Sequence, residues 1–516
     1  MSKSLLNLLL CAALLGSVAS TRAAEDAPKP SSNDESADKD KKKEKKDPED
    51  QITETKHSVQ IGGQTVSYTA TAGTIVLKEE LDKPKATLFF IAYTKDGVED
   101  PGQRPIMFSF NGGPGSSSVW LHLGALGPRR VLADQDGFAL APPGRLVDNE
   151  HSVLDLVDLV FIDPVTTGYS RPVEGEDPKQ FHGVQQDVEW VGEFIRLYTT
   201  RFKRWSSPKF LIGESYGTTR AAALSGYLQE RHGMYLNGIV LVSSVLNFQA
   251  SRFHPGNDLP FILFLPTYTA TAWYHKKLAE PLQSDLRSTL DQVERFALHD
   301  YTLALFQGDR LDPEQRQRIV AQLASFTGLS PEYIEQTNLR ISIFRFVKEL
   351  LRDQRRTVGR LDSRFKGSDA DAAGESFEYD PSYAAIQGPF TAALNHYVRS
   401  ELGFESDLPY EILTGRVRPW SYGEAENRYL NVAETLRQAM TQNPHLKVMV
   451  ASGYYDLATP YFASDYTFGH LGLEPSSVDR VTIHYYESGH MMYIHLDSLA
   501  RFKSDVAAFV HSALPQ

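Results

Sequence analysis

Cysteine is nearly missing from this 516-residue chain: there is one, Cys11. A single thiol excludes a disulfide framework within the chain and a zinc site built on cysteine ligands. Long apolar runs are scarce at the start as well, where the stretch from Leu5 to Val18 is too short for an ordinary membrane helix. There is no excess of positive charge. Lys plus Arg number 53 against 65 Asp plus Glu, a formal charge of −12. Nonspecific nucleic-acid binding needs clustered cations to neutralise phosphate, so no nucleic-acid partner is expected. No repeat with a period of about 20–50 residues is found, which removes solenoids and propellers.

What remains is ordinary for a globular protein: 41% hydrophobic and 23% charged residues. The length allows one large domain or two to three smaller ones. Lys3 precedes the Leu5–Val18 run, and Thr21-Arg22-Ala23 resembles a small-x-small cleavage site. Residues 1–23 therefore read as a signal peptide. Leu10 is too large for the residue before a lipidated cysteine, so no stable membrane anchor is expected. Cleavage would remove Cys11, and a cysteine-free exported chain suits a bacterial periplasm or the exterior. Residues 24–50, with Lys41-Lys42-Lys43-Glu44-Lys45-Lys46 amid Asp, Ser and Pro, bury too little to offset ordering entropy and read as a disordered charged linker.

The folded part begins near Ile52. Val59–Val66 and Gly73–Leu77 read as hairpin strands around Gly62-Gly63, and Thr87–Tyr93 as a further β-rich run. Pro105–Phe110, Leu156–Ile162, Lys209–Ile212 and Ile239–Val242 are short apolar strands, with an amphipathic helix over Gln185–Phe202. Continuous apolar strands alternating with helices indicate a mainly parallel central sheet with helices on both faces, an α/β fold. From 251 to 424 the pattern is mostly helical, with residues 353–376 polar and read as an exposed loop. Strands resume at Val448–Ala451 and Val481–Tyr486, and a helix closes the chain from Leu496 to Ser512. The organisation is thus a core in two parts, 51–250 and 425–516, around a largely helical cap insertion at 251–424.

Gly213-Glu214-Ser215-Tyr216-Gly217 sits between a strand and a helix. Gly-x-Ser-x-Gly alone arises by chance in roughly one chain of this length in six, so the context carries the reading. A sharp strand-to-helix turn needs small residues two places either side of a serine whose hydroxyl it lifts above the sheet. Such a hydroxyl needs a base, and the base an orienting acid. The order for this turn is serine, acid, histidine. Asp456 follows the strand at Val448–Ala451, and His490 follows the last strand in a glycine turn. Asp465, Asp479, His484 and His495 are less well placed for these roles. An oxyanion hole needs two backbone N–H groups. Tyr216 supplies one, and the loop Asn111-Gly112-Gly113-Pro114-Gly115 after an earlier strand supplies the other.

Asn111-Gly112-Gly113-Pro114-Gly115-Ser116-Ser117-Ser118, the Ser215 elbow, Gly489-His490-Met491, and Asp163-Pro164-Val165 with Gly168-Tyr169-Ser170 together resemble the serine carboxypeptidases. The resemblance implies the α/β-hydrolase fold with a helical insertion before the acid. It implies Ser215 as nucleophile, His490 as general base and acid, Asp456 as orienting acid, and Gly113 and Tyr216 as oxyanion donors. It implies that Asn111 and Glu214 bind the substrate's terminal carboxylate, for which Glu214 must be protonated. The substrate would be a peptide or a small acyl compound, with an exported esterase or acyltransferase on the same triad as the alternative. No metal or organic cofactor is called for: His182, His254 and His275 have no ligand spacing. The catalytic residues argue against a noncatalytic binding protein on this fold.

Two departures stand out. The family usually carries Glu-Leu-Gly-Pro, whose glutamate pairs with the first; this chain has Ala125-Leu126-Gly127-Pro128, followed by Arg129 and Arg130 as candidate carboxylate contacts. Ser116 stands where the family often has cysteine. Without a carboxyl pair sharing a proton, the preference for acidic pH should weaken. A pH–rate profile on a free-acid peptide should show substantial activity at about pH 7; a sharp optimum near pH 4–5, the ordinary carboxyl range, would refute this.

Overall fold

The computed structural model describes residues 47–79 and 82–515. The signal peptide expected at 1–23, and the linker expected at 24–50 up to residue 46, lie outside the described residues.

The chain enters through a hairpin. Strands β1 (Gln51–Ile61) and β2 (Gln64–Lys78) pair antiparallel from Ile61↔Gln64 to Gln51↔Thr74. Gly62 and Gly63 make the turn at φ +55° and +79°, the left-handed pair that matches strand twist and disfavours side chains. The run Val59–Val66 is therefore the tip of the hairpin, and Gly73–Leu77 the far end of β2. Strand β3 (Pro84–Lys95) continues antiparallel.

The remaining strands of the ten-stranded sheet are β4 (Ile106–Phe110), β5 (Asp158–Ile162), β6 (Lys209–Glu214), β7 (Gly238–Val242), β8 (Lys447–Gly453) and β9 (Val481–Tyr486). The spatial order is β1-β2-β3-β5-β4-β6-β7-β8-β9, with Arg171–Pro172 pairing on β3. From β5 to β9 every neighbour is parallel. Parallel strands need crossovers, and crossovers cover both faces, which is why β4 through β7 are buried throughout.

The two-residue period divides the strands between two cores. Phe210, Ile212, Val240, Val242, Met449 and Ala451 face the core that includes helices Pro381–Ser400 and Leu496–Ala513. Leu211, Ile239, Leu241, Val448 and Val450 face helices α1 (Val184–Arg201) and α2 (Tyr216–His232) together with Ala433–Gln442. A third core belongs to the helices between β7 and β8, among them Leu259–Tyr274, Leu286–Phe296 and Pro313–Thr327, and extends to Tyr455 and Leu457 beside β8.

One expectation is corrected. Residues 353–376 do not form an exposed loop throughout. Thr357–Gly359 and Asp362–Phe365 are buried, and Thr357–Val358 pairs with Lys366–Gly367. Their polarity is satisfied inside the protein: Asp362 pairs with Arg364 at 2.7 Å with both about 4% exposed, and Lys348 binds Asp369 in a second buried pair. Composition records polarity and not the partner that makes burial tolerable.

Another buried pair ties the sheet's centre together. Arg220 on α2, 1% exposed, donates to both oxygens of Asp187 on α1 at 2.7 and 3.0 Å, and to the Asn111 carbonyl at 2.6 Å. Arg220→Ala leaves a buried carboxylate without its cation and should lower stability by about 3–5 kcal/mol. Arg220→Lys should recover only part, because an ammonium cannot reproduce the planar fork. Denaturant unfolding of the three proteins checks this.

Candidate active site

Strand β6 ends at Glu214 and α2 begins at Tyr216, so Ser215 alone makes the turn, at φ +61° and ψ −128°. Such a conformation is strained for a residue with a side chain and persists only where the surroundings hold it. They do so sterically. A Cβ at Gly213 would lie 2.1 Å from the Gly217 carbonyl oxygen, and one at Gly217 2.8 Å from that of Phe110. The Ser215 N–H donates to Val242 O on β7 at 3.0 Å.

Asp456 follows β8 and His490 follows β9, and the parallel pairing of these strands brings the two turns together. His490 Nδ1 lies 2.8 Å from Asp456 Oδ2. A carboxylate only accepts, so Nδ1 carries the proton and Nε2 is left with a lone pair. Asp456 is fully buried. Its Oδ1 accepts the Ala458 and Thr459 N–H groups at 2.8 and 3.0 Å, and its Oδ2 the Thr459 hydroxyl at 2.7 Å. Burial disfavours the His490 cation, but the Asp456 charge and hydrogen bond, with Glu214, more than offset it. The imidazole pKa is held above its ordinary value, while Arg360 pulls it down.

The loop after β4 approaches the elbow closely. A Cβ at Gly112 would lie 2.3 Å from the Tyr216 nitrogen. Gly113 has φ +103°, and Gly113 and Tyr216 line a cavity with Ser215. The loop is anchored from behind: Ser118 N–H donates to Asp163 Oδ1 at 2.8 Å, and Trp120 Nε1–H to Ser116 Oγ at 2.9 Å. The Asp163–Ser170 signature thus braces this loop.

Glu214 is 3% exposed. Burial pushes its carboxyl up to about 7, against the opposing pull of His490, Tyr493 and Asn111. Asn111 Nδ2 donates to Oε1 at 3.0 Å and the Tyr493 hydroxyl to Oε2. Tyr493 reaches it past Gly124, where a Cβ would lie 2.4 Å from the tyrosine ring. A phenol therefore hydrogen-bonds to Glu214 in a chain that lacks the family's second glutamate. Asn111 is 1% exposed, and its Oδ1 is taken by the Leu121 N–H at 3.1 Å. Arg129 and Arg130 lie elsewhere: Arg129 pairs with Asp148 and Glu401, and Arg130 lines a separate small cavity beside Leu132 and Pro389.

Two cavities meet at Ser215. One of about 890 Å³ is lined by Tyr216, Val245, Phe248 and Phe264 among others. The other, about 430 Å³, holds His490, Glu214, Trp120, Tyr383 and Met491. Gly113, Pro114, Arg360 and Arg418 line both.

The buried segment 357–365 stitches both turns. His490 N–H donates to Leu361 O at 2.7 Å, Leu457 N–H to Arg360 O at 3.1 Å, and Ser363 N–H to Tyr455 O at 3.0 Å. Gly489 N–H donates to Asp362 Oδ2 at 3.1 Å, and Arg364 Nη2 to Ser488 Oγ at 3.0 Å. Sequence reasoning missed Tyr493, Arg360, Asp362, Arg364 and Arg418. None carries a motif, although Asp362-x-Arg364 in a polar stretch beside apolar helices was a faint signal. Of the competing residues, Asp465 accepts from Tyr485 at 2.8 Å, His484 lies 3.4 Å from Asp505, and His495 bonds Ser498 at 2.8 Å.

The chain was compared with known proteins. The sequence pattern of a family described as serine carboxypeptidase matches residues 62–494. Serine carboxypeptidase-like 29 of Arabidopsis thaliana is 29% identical over 154 residues, 29% of this chain and 29% of that protein. The pheromone-processing carboxypeptidase KEX1 of Saccharomyces cerevisiae is 33% identical over 145 residues, 27% of this chain and 19% of that protein. The matched stretches thus span less than a third of these curated relatives. A crystal structure of the prohormone-processing carboxypeptidase from Saccharomyces cerevisiae superposes with TM-score 0.54 at 17% identity, covering 86% of this chain and 91% of that one. That likeness is one of fold, the α/β-hydrolase arrangement.

Arg364→Ala should slacken the histidine turn and strand the Asp362 charge. A displacement of about 1 Å at a reacting group costs on the order of 10²-fold in rate. The expected result is a kcat loss of that order with KM nearly unchanged, read by steady-state kinetics on an ester.

Proposed function

The chain belongs to the serine carboxypeptidase family, and on that footing we propose that it releases C-terminal residues from peptides through an acyl-enzyme on Ser215. Ser215 Oγ attacks the scissile carbonyl carbon while His490 Nε2 takes the hydroxyl proton. The alkoxide is held by the Gly113 and Tyr216 N–H groups. The C–N bond then breaks, and His490 returns the proton to the leaving amine. Water repeats the sequence on the ester, freeing the acid and restoring Ser215. The acyl part occupies the larger cavity and the departing residue the smaller one, because His490 lines the smaller cavity. Asn111 and Glu214 form the polar wall beside the departing residue.

The observation that carries this reading is the convergence of the Ser215 elbow, the His490–Asp456 hydrogen bond of 2.8 Å and a cavity lined by both His490 and Glu214 beside the serine. Ala125 in place of the partner glutamate supports an esterase or acyltransferase on the same triad as the second reading. Export is part of the proposal. It rests on the signal-like residues 1–23, with a periplasmic or extracellular location to follow. Among the described residues no helix is long and apolar enough to cross a membrane.

The test is one peptide with a free or an amidated C-terminus, followed by mass spectrometry with Ser215→Ala as control. Stepwise loss from the free acid, abolished in the variant, is expected. Serine-dependent ester hydrolysis without loss from either peptide would move the assignment to the second reading. The pH dependence has a definite sign. His490 must be neutral to accept a proton, so kcat/KM on a neutral ester should rise with pH through a midpoint above about 6.5, the ordinary histidine value. Asp456→Asn removes the carboxylate charge that contributes most to raising that pKa and leaves Glu214 in place. It should lower the midpoint and reduce kcat by about 10³–10⁴-fold.

A further inference from the structure

Glu214 is poorly set up to grip a carboxylate. Both of its oxygens already accept hydrogen bonds, from Asn111 and from Tyr493, so Glu214 can offer a carboxylate at most one O–H donor when protonated and none when ionised. In its ionised form it repels an anion. If a peptide's terminal carboxylate is to sit in the smaller cavity, its charge needs an answer from somewhere else.

The insertion supplies one. Arg360 lies in the segment that stitches the triad turns, and Arg418 in the loop that precedes Pro419. Both line the smaller cavity and its border with the larger one. Neither guanidinium has a hydrogen-bond or ion-pair partner among the described residues; only their backbones are engaged, Arg360 N–H with Asp380 and Arg418 N–H with Gly415 O. In a chain with 65 acidic and 53 basic residues, two such unpaired arginines beside one nucleophile are conspicuous. The acids lining the two cavities are Glu214 and Asp380. Asp380 is occupied: it accepts the Arg360, Leu361 and Ser382 N–H groups and the Ser382 hydroxyl. Arg252, which lines the larger cavity, lies over Phe248 and bonds Tyr422. The two cavities together thus hold three arginines against two acids, and the guanidiniums of Arg360 and Arg418 present planar donors that match a carboxylate. Arg360 also acts electrostatically on His490.

We propose that Arg360 and Arg418 recognise the terminal carboxylate of the departing residue, in the place of the protonated carboxyl pair that this chain lacks. The inference rests on the carboxypeptidase reading and deepens it. Recognition by permanent cations does not depend on a protonated carboxyl, and it weakens with salt where the site is open to solvent.

The test compares one N-acylated dipeptide with its C-terminal amide. With active protein, the ratio of kcat/KM for free acid over amide should fall at least tenfold in Arg360→Gln plus Arg418→Gln, chiefly through KM for the free acid. Arg360→Lys should retain only part of the preference, because it keeps the charge and loses the planar fork. Arg418 is exposed, so Arg418→Gln alone gives a variant expected to fold and to show part of the effect. Equal losses on acid and amide, or an unchanged ratio, would overturn the proposal. Calorimetric binding to Ser215→Ala separates the two ideas. Tighter binding of the acid than the amide, lost when both arginines are replaced, supports recognition even if the active protein cleaves no peptide, which would sink the carboxypeptidase reading alone. Equal binding of acid and amide overturns the arginine proposal whatever the turnover.

Discussion

The strain at Ser215 is the constraint around which the rest is arranged. A serine at φ +61° between a buried strand and a helix does not stay there unaided. Gly213 and Gly217 let strand and helix close on each other, and Val242 O on the neighbouring strand takes the serine N–H. Arg220, one turn into the helix, binds Asp187 and the Asn111 carbonyl, so the elbow helix is tied to the glycine loop beside it. The parallel sheet is what makes this possible. Strands that all point the same way deliver the elbow, the acid turn and the histidine turn to one edge.

The charges at that edge are shaped by burial. Asp456 is closed off from water and accepts from two backbone N–H groups, a hydroxyl and the imidazole, which fixes how the His490 ring is turned. Glu214 sits equally deep, but its partners are an amide and a phenol. The presence of Tyr493 follows from volume as much as chemistry: its ring occupies the space over Gly124 that a side chain there would fill. A site in which Glu214 is paired with a phenol and two arginines lie nearby differs electrostatically from one in which that carboxyl shares a proton with a second.

The insertion is more than a cover. Its segment 357–365 hydrogen-bonds to the residue before the acid, to the residue after it, and to the histidine backbone itself. The same segment carries Arg360 into the cavity. Substrate recognition and triad alignment are therefore mechanically joined, through a stretch whose polar composition suggested an exposed loop. The buried Asp362–Arg364 pair is what reconciles that composition with its position.

Much of this protein was legible in one dimension, and the reason is locality. The parallel strands show as short apolar runs, the elbow as two glycines flanking a serine, and the hairpin as Gly62-Gly63. Asp456 and His490 could be paired from the sequence because each follows a strand that ends where this kind of sheet places its loops, and the two side chains do meet at 2.8 Å. Each signal spans a few residues and is dictated by backbone geometry or by a period of two. What tertiary structure alone decided lies between residues far apart in the chain. Tyr493 meets Glu214 across 279 positions, and Asp362 meets Gly489 across 127. Arg129 and Arg130 were the cations that adjacency suggested, yet Arg129 pairs with Asp148 and Glu401 and Arg130 lines a separate cavity, while Arg360 and Arg418 arrive from the insertion. Such meetings follow from how side-chain volumes and charges settle when sheet and insertion pack, and no spacing along the chain records them.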